Sequence, residues 1–201
     1  MNTPSKAETR PVASLADAHP QAGVTVLAPP LDVPESVVTL MDGSEVTIRP
    51  LRKDDAELDR DFLCNLSPES RWMRFLGQFR EPGDSLIRRL TELDYLHDMA
   101  FIALAREHGK PRAVGVSRYS LTPDGQSCEC AVTVADAWQG KGLGTMLMRD
   151  LIELARRRGV HTMFSIDAGS NERMRELARD LGFRREPDPD DPTQVVHRLA
   201  L

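Results

Sequence analysis

Disulfide chemistry has little to work with in this chain. The 201 residues hold three cysteines, Cys64, Cys128 and Cys130, and an odd count does not make a disulfide framework. Metal chemistry is short of material too. Cys128 and Cys130 stand two apart on a strand-like stretch, so both point to one face. They read as small core residues, and neither has a second Cys or His pair. The five histidines, His19, His97, His108, His161 and His197, are scattered without ligand spacing, so no metal is expected. No apolar run approaches the ~18 residues of a membrane-crossing helix. Val24 to Leu31 is short and broken by Pro29 and Pro30, so it makes no signal core. Positive charge is not in excess: the net charge is −5 and the pI about 5.6. That argues against a nucleic-acid surface, although an acidic protein can still bind an anion locally. Internal repeats are lacking as well. A reducing cytoplasm fits this cysteine usage.

What is there suffices for one domain with a real core, at 40% apolar residues. Residues 1–36 are rich in Pro, Ala, Ser and Thr without periodicity, and read as a disordered extension. The folded domain is expected over 37–201. Asp42-Gly43 marks a turn between two strands. Asp54 is a candidate N-cap for a helix carrying Ala56, Leu58, Phe62, Leu63 and Leu66. Ser67-Pro68-Glu69-Ser70 restarts a helix, with Ser67 as cap and Pro68 at the first position, and Gly77 as its end. A short helix is expected over 85–93. Strands follow at Met99–Ala105, Ala113–Leu121 and Ser127–Val134. A helix from about Gly142 to Arg158 is stopped by Gly159. Then come a strand at Thr162–Ile166, a helix carrying Met174, Leu177, Ala178 and Leu181, an acidic Pro-rich loop over Glu186–Pro192, and a last strand at Val195–Leu199.

The most informative stretch is Glu129 to Thr145, ECAVTVADAWQGKGLGT. A β-branched strand runs into Gln139-Gly140-Lys141-Gly142-Leu143-Gly144-Thr145. The helix after that turn repeats apolar residues at Leu143, Leu147, Leu151 and Ala155. The first turn of a helix leaves about four N–H groups without intrahelical partners, and the helix dipole adds positive charge there. Glycines remove the Cβ atoms that would hold a ligand away and permit positive φ. The product is a cradle for phosphate or pyrophosphate. The glycines read G-x-G-x-G, one residue short of the dinucleotide fingerprint, and Gly140-Lys141 is followed by Gly142 rather than the Ser or Thr of a Walker A loop.

The pattern Q-x-x-G-x-G at Gln139, Gly142 and Gly144 resembles the acyl-CoA signature of the GNAT superfamily of N-acetyltransferases, in which Gln is a common variant of Arg at the first position. The resemblance implies an α+β fold: a mixed, mostly antiparallel central sheet flanked by helices, with splayed central strands. It implies acetyl-CoA as co-substrate. The amides of Gln139, Gly140, Lys141, Gly142, Leu143, Gly144 and Thr145 are expected to hold the pyrophosphate. The backbone of Val132, Thr133 and Val134 is expected to pair with the pantetheine arm. Asn171 opens a helix ending in Gly182-Phe183, which resembles the family's late motif, where the Asn contacts the cofactor; a plain capping role is compatible.

Three segments are similar to a narrower branch, the bacterial protein-lysine acetyltransferases that modify acyl-CoA synthetases. They are VTIRPLRKD at Val46–Asp54, SPESRWMRF at Ser67–Phe75 and ECAVTVADAWQGKGLG at Glu129–Gly144. That branch implies a protein acceptor bearing a lysine, and Glu129 as general base. A free lysine has a pKa of about 10.4, so its neutral form lies ~3.4 units uphill at pH 7, roughly 4.6 kcal/mol; a general base removes that proton. A strand-end Glu facing solvent is the plain alternative. Backbone N–H groups near Val132 to Val134 are the natural donors to the developing oxyanion. Many relatives place a Tyr acid on the last helix, where this chain has Ala178. A thiol pKa near 8.5 makes thiolate a tolerable leaving group without it. Arg71 and Arg74 are candidate contacts to acidic residues around a target lysine. Two further readings stand beside this one: acetylation of a small amine (polyamine, amino acid or aminoglycoside), and a non-catalytic acyl-CoA sensor. No nucleic-acid or membrane partner is expected.

Overall fold

A computed structural model describes residues 33–77 and 82–201. Thirteen elements follow in chain order. They are β1 (Ser36–Thr39), β2 (Glu45–Pro50), α1 (Ala56–Cys64), α2 (Pro68–Phe75), α3 (Asp84–Thr91), β3 (Asp98–Glu107), β4 (Lys110–Leu121), β5 (Ser127–Val134), α4 (Leu143–Arg157), β6 (Thr162–Ala168), α5 (Glu172–Asp180), β7 (Arg184–Pro187) and β8 (Gln194–Ala200). Except for Ser36, which opens β1, and the short lead-in 33–35, the extension expected over 1–36 lies outside the described residues.

The strands form one eight-stranded sheet in the order β1-β2-β3-β4-β5-β6-β8-β7. Every neighbouring pair is antiparallel except β5–β6. This is the mixed, mostly antiparallel sheet that the resemblance implied. The parallel pair is short. β5 and β6 are in register only at Ser127–Thr162, Cys128–Met163 and Glu129–Phe164, whereas β4 stays paired to β5 as far as Val134. From Cys130 onward β5 therefore has one bonded edge and one open edge. The central strands are splayed, and the wedge begins at Glu129.

Two cores cover the two faces of the sheet. On one face α4 sets Leu147, Met148 and Leu151, all fully buried, against Tyr119, Cys128, Cys130 and Met163; each such apolar side chain is worth roughly 1.5–3 kcal/mol on burial. Gly115 in β4 permits the close approach. A Cβ there would lie 2.9 Å from Leu147 Cδ1 and 3.3 Å from Leu143 Cδ2. On the other face Phe62, Leu63, Leu66, Ile87 and Leu90 from the α1–α3 region pack on Ala100, Ile102 and Val116. Cys128 and Cys130 do share one buried face, as the period of two requires.

Several boundaries differ from the sequence reading for local reasons. Asp54 does not cap α1. A single 3₁₀ turn at Lys53–Asp55 precedes that helix, and its neighbour Asp55 takes the structural role: its carboxylate accepts from Arg49 at 2.7 and 2.6 Å and from the Arg52 N–H at 2.7 Å. Leu76 rather than Gly77 ends α2, in the left-handed region at φ 47°. The first residues of the expected acidic loop belong to β7, because pairing of Arg184–Pro187 with β8 overrides their weak strand preference.

Candidate active site

The wedge between β5 and β6 opens into a cavity of about 850 Å³. Glu129 to Val134 of β5 form its floor. Gln139, Gly140, Gly142, Gly144 and Thr145 close one end, Asn171 and Leu177 belong to the α5 wall, and Ser70, Met73 and Arg74 belong to the α2 wall.

The glycine turn has the geometry its sequence implied. Gly140 and Gly142 sit at φ 73° and 87°, a region L side chains rarely enter. The first intrahelical bond of α4 runs from the Met146 N–H to the Gly142 carbonyl at 3.2 Å. The N–H groups of Leu143, Gly144 and Thr145 precede that ladder. A Cβ on Gly140 would meet nothing within 4 Å, so the space beside the turn is open. These features fit a pyrophosphate at the dipole end of a helix. The open edge of β5 offers unpaired backbone groups along the path from that turn to Glu129. The residues present thus fit the coenzyme A moiety.

Not every expected residue reaches the cavity with its side chain. Lys141 turns away: its Nζ is 2.9 Å from Asp42 Oδ2 and 4.8 Å from the centre of the Trp138 ring. Leu143 is buried in the α4 core. Both would act through their backbone alone. Thr133 is buried, and its Oγ1 has no hydrogen-bond partner among the described residues. Gln139 braces the site. Its Nε2 donates to the Val134 carbonyl at 2.9 Å and to Ser70 Oγ at 3.2 Å, and its Oε1 accepts from Arg173. Asn171 lines the cavity and also caps α5, its Oδ1 accepting from the Met174 N–H at 3.1 Å. Ala178, which the resemblance matched to the family's Tyr position, is buried in the core with α4 and does not line the cavity.

Glu129 is half-buried at the start of the wedge and lines the cavity. Burial pushes its carboxyl up to about 7, with Arg74 opposing and Asp167 adding to the rise. A carboxyl near 7 accepts a proton from an amine more readily than one near 4 and is still substantially ionised at neutral pH. Arg74 faces the same cavity, and burial together with the like charge of Arg118 brings it down to about 10. Arg71, grouped with it by sequence, folds back instead and donates to the carbonyls of Leu66 at 2.9 Å and Cys64 at 3.3 Å.

Two residues that sequence reading passed over complete the site. Asp136 sits on the turn after β5 and accepts from the Ser67 N–H, Ser67 Oγ and Ser70 Oγ at 2.7–2.9 Å, which docks α2 over the cavity. Asp167, on β6 across the wedge, lines the cavity while its Oδ2 accepts from Ser165 at 2.6 Å and pairs with His197 Nδ1 at 3.0 Å. No spacing signal marks either one, since their partners lie 66–69 and 30 residues away along the chain except for Ser165. Among the described residues no group of three or more His, Cys, Asp or Glu is placed to hold a metal, and no helix is long and apolar enough to cross a membrane.

Comparison with known proteins agrees with this geometry. The sequence model of the acetyltransferase (GNAT) family matches residues 68–183. An acetyltransferase of Pseudomonas aeruginosa is 50% identical over 165 residues, covering 82% of this chain and 89% of that protein. The acetyltransferase Pat of Mycolicibacterium smegmatis is 28% identical over 146 residues, which is 72% of this chain but 43% of that longer protein. Among solved structures, the GNAT domain of S. lividans PAT superposes with a TM-score of 0.75 at 25% identity, covering 83% of this chain and 97% of that one.

Proposed function

This chain belongs to the acetyltransferase (GNAT) family, and from that premise we propose that it moves the acetyl group of acetyl-CoA to a lysine side chain of a protein, with Glu129 as general base and an acyl-CoA synthetase-like protein as acceptor. Acetyl-CoA is the family's co-substrate, and it supplies an activated thioester. The observation that carries the reading is the place of Glu129: a carboxyl held near pH 7 at the point where β5 leaves β6. An ammonium entering beneath α2 meets that carboxyl and gives up its proton. The freed amine then faces the open edge of β5, where N–H groups between Cys130 and Val134 hydrogen-bond the thioester oxygen. Gly140 to Thr145 hold the pyrophosphate through their amides, and Gln139 and Asn171 keep the turn and α5 in place beside it. The helical wall that α2 adds beside Glu129 supports a protein acceptor, and similarity to the acetyltransferase Pat at 28% identity is in keeping with the branch that the sequence resembles. A cytoplasmic location is part of the same proposal.

The test is acetyl transfer measured on an acyl-CoA synthetase and on a panel of polyamines, amino acids and aminoglycosides, with modified lysines mapped by mass spectrometry. Acetylated lysine on the synthetase, lost in Glu129→Gln, is the expected result. Coenzyme A release with the small amines alone would replace the protein acceptor with a small one and leave the enzyme class intact.

A further inference from the structure

Of the two arginines in the SPESRWMRF segment, one is used up within the fold and one is not. Arg71 is committed to the carbonyls at the end of α1. Arg74 lines the cavity, and its guanidinium carbon lies over the Phe75 ring, 4.7 Å from the centroid. Among the described residues no carboxylate comes within ion-pair distance of it.

Asp59, Glu129 and Asp167 attract it across the site, and Arg118 repels it, but none of the three carboxylates is bonded to it. Asp59 on α1 is buried, its Oδ2 has no hydrogen-bond partner among the described residues, and burial raises it above the usual carboxylate range. Arg118 adds a second cation, whose Nη1 donates to the Leu90 carbonyl at 3.2 Å. Glu129, raised to about 7 by burial with Arg74 opposing, is only part-ionised at neutral pH. Glu69 lies about one turn before Met73 and is exposed. The remaining carboxylates of the cavity wall, Glu172, Glu176 and Asp180, stand on α5 at its exposed mouth, and Asp167 is already engaged by Ser165 and His197. A half-buried guanidinium that lines a cavity without a bonded carboxylate can accept one from a ligand, and its planar fork matches a carboxylate in bidentate fashion.

We infer that Arg74 is the docking point for a carboxylate that the substrate carries close to its reacting group, so that the enzyme selects amines with an acidic neighbour. On the proposed lysine reading, on which this inference rests, the neighbour is an Asp or Glu beside the target lysine. The other source of the same chemistry is a dicarboxylic acyl chain. Arg74 is in this account a specificity residue: it binds the substrate and takes no part in the proton transfer, which remains with Glu129.

The experiment compares wild type, Arg74→Gln and Arg74→Lys on two lysine peptides that differ only in Asp or Asn beside the lysine, and on an amino acid and its amide, all with acetyl-CoA. In wild type the carboxylate-bearing partner of a pair is expected to have a kcat/KM about tenfold higher or more, the scale of a charge-assisted hydrogen bond. Arg74→Gln should remove that advantage through KM, and Arg74→Lys should restore part of it. Equal values for the Asp and Asn peptides in wild type, or a parallel fall of both in Arg74→Gln, overturns the inference and leaves lysine acetylation standing. Preference confined to the amino acid over its amide, lost in Arg74→Gln, keeps the inference and removes the protein acceptor. Calorimetric titration with succinyl-CoA against acetyl-CoA completes the test. Tighter succinyl-CoA binding that Arg74→Gln abolishes assigns the carboxylate to the acyl chain. If no amine is turned over, equal affinities for the two thioesters overturn the inference.

Discussion

The Ser70 hydroxyl donates to Asp136 Oδ1 at 2.7 Å, joining the first turn of α2 to the turn that follows β5. The same carboxylate takes the Ser67 hydroxyl at 2.8 Å and the Ser67 N–H at 2.9 Å, while Ser67 Oγ accepts from the Ser70 N–H at 3.1 Å. A helix beginning on an anion is favoured by its dipole. Here the anion belongs to the turn after β5, so one cluster ties the α2 wall of the cavity to the strand that forms its floor.

Replacing that carboxylate separates that wall from the floor. Asp136→Ala is expected to cost about 1–2 kcal/mol, because the three bonds are charge-assisted but exposed, and to raise KM for the acceptor. Burial raises the Asp136 carboxyl, but the bonds from Ser67 and Ser70 outweigh it and leave it below its ordinary value. A depressed carboxylate stabilises the fold above its unfolded pKa, and that contribution vanishes as the pH falls through the folded value. The melting-temperature gap between wild type and variant should therefore be full at pH 7 and shrink below about pH 4. A gap of the same size at pH 7 and pH 3 contradicts the assignment.

Gly142 is the turn residue whose backbone leaves least choice. Its φ is 87°, and a Cβ there would sit 3.6 Å from Met41 Cγ, an ordinary contact. The strain of Gly142→Ala is thus in the backbone rather than in packing, about 1–2 kcal/mol for an L residue in the left-handed region. The variant is expected to fold and to bind acetyl-CoA more weakly, since relaxing φ re-aims the N–H groups at the start of α4. Calorimetric titration with acetyl-CoA measures it, and an unchanged Kd would remove this turn from the cofactor site.

Much of this was legible in the sequence, for reasons that are local. The strand, the glycine turn and the amphipathic α4 follow one another without a break, so periodicity and glycine placement report them together. Ser67 capping the Ser70 N–H and the αL glycines at 159 and 182 are short-range devices of the same kind. What the sequence could not report depends on distant partners. Asp136 gains its meaning from α2, Asp167 from His197 on β8, and β7 from pairing with β8. The side-chain direction of Lys141 is decided by Asp42, on the first hairpin. The separation of Arg71 from Arg74 is decided by where α1 ends.

The cysteines divide by burial. Cys64 is exposed, whereas Cys128 and Cys130 are buried. Burial pushes the Cys128 thiol up to about 12 and raises Cys130 well above its usual range, so neither offers thiolate at pH 8. Titration of the native protein with a chromogenic disulfide reagent should report one reactive thiol, and three after denaturation. Reaction of all three in the native state would mean that the core formed by β5 and α4 opens readily.

Glu129 couples activity and stability in opposite directions. Its carboxyl sits at about 7 in the folded protein, with burial as the leading cause, against an ordinary value near 4.5. A raised carboxyl binds its proton more tightly in the folded state. It therefore favours folding at low pH, and that contribution is lost as the pH rises from about 4.5 to about 7. Glu129→Gln removes the ionisation, so above pH 7 the variant should be the more stable protein, by at most about 3 kcal/mol before solvent screening is allowed for. The same variant should lose about 10²–10⁴-fold in kcat, the usual contribution of a general base. Wild-type kcat/KM should climb through a limb centred near pH 7, and the variant should lack that limb while retaining its affinity for acetyl-CoA. Melting curves at pH 5 and pH 8 read the first half and pH–rate profiles the second. A variant that is both inactive and less stable at pH 8 would mean that Glu129 holds the wedge together. A variant with undiminished turnover would move the base elsewhere, with Asp167 across the wedge the next carboxylate to test.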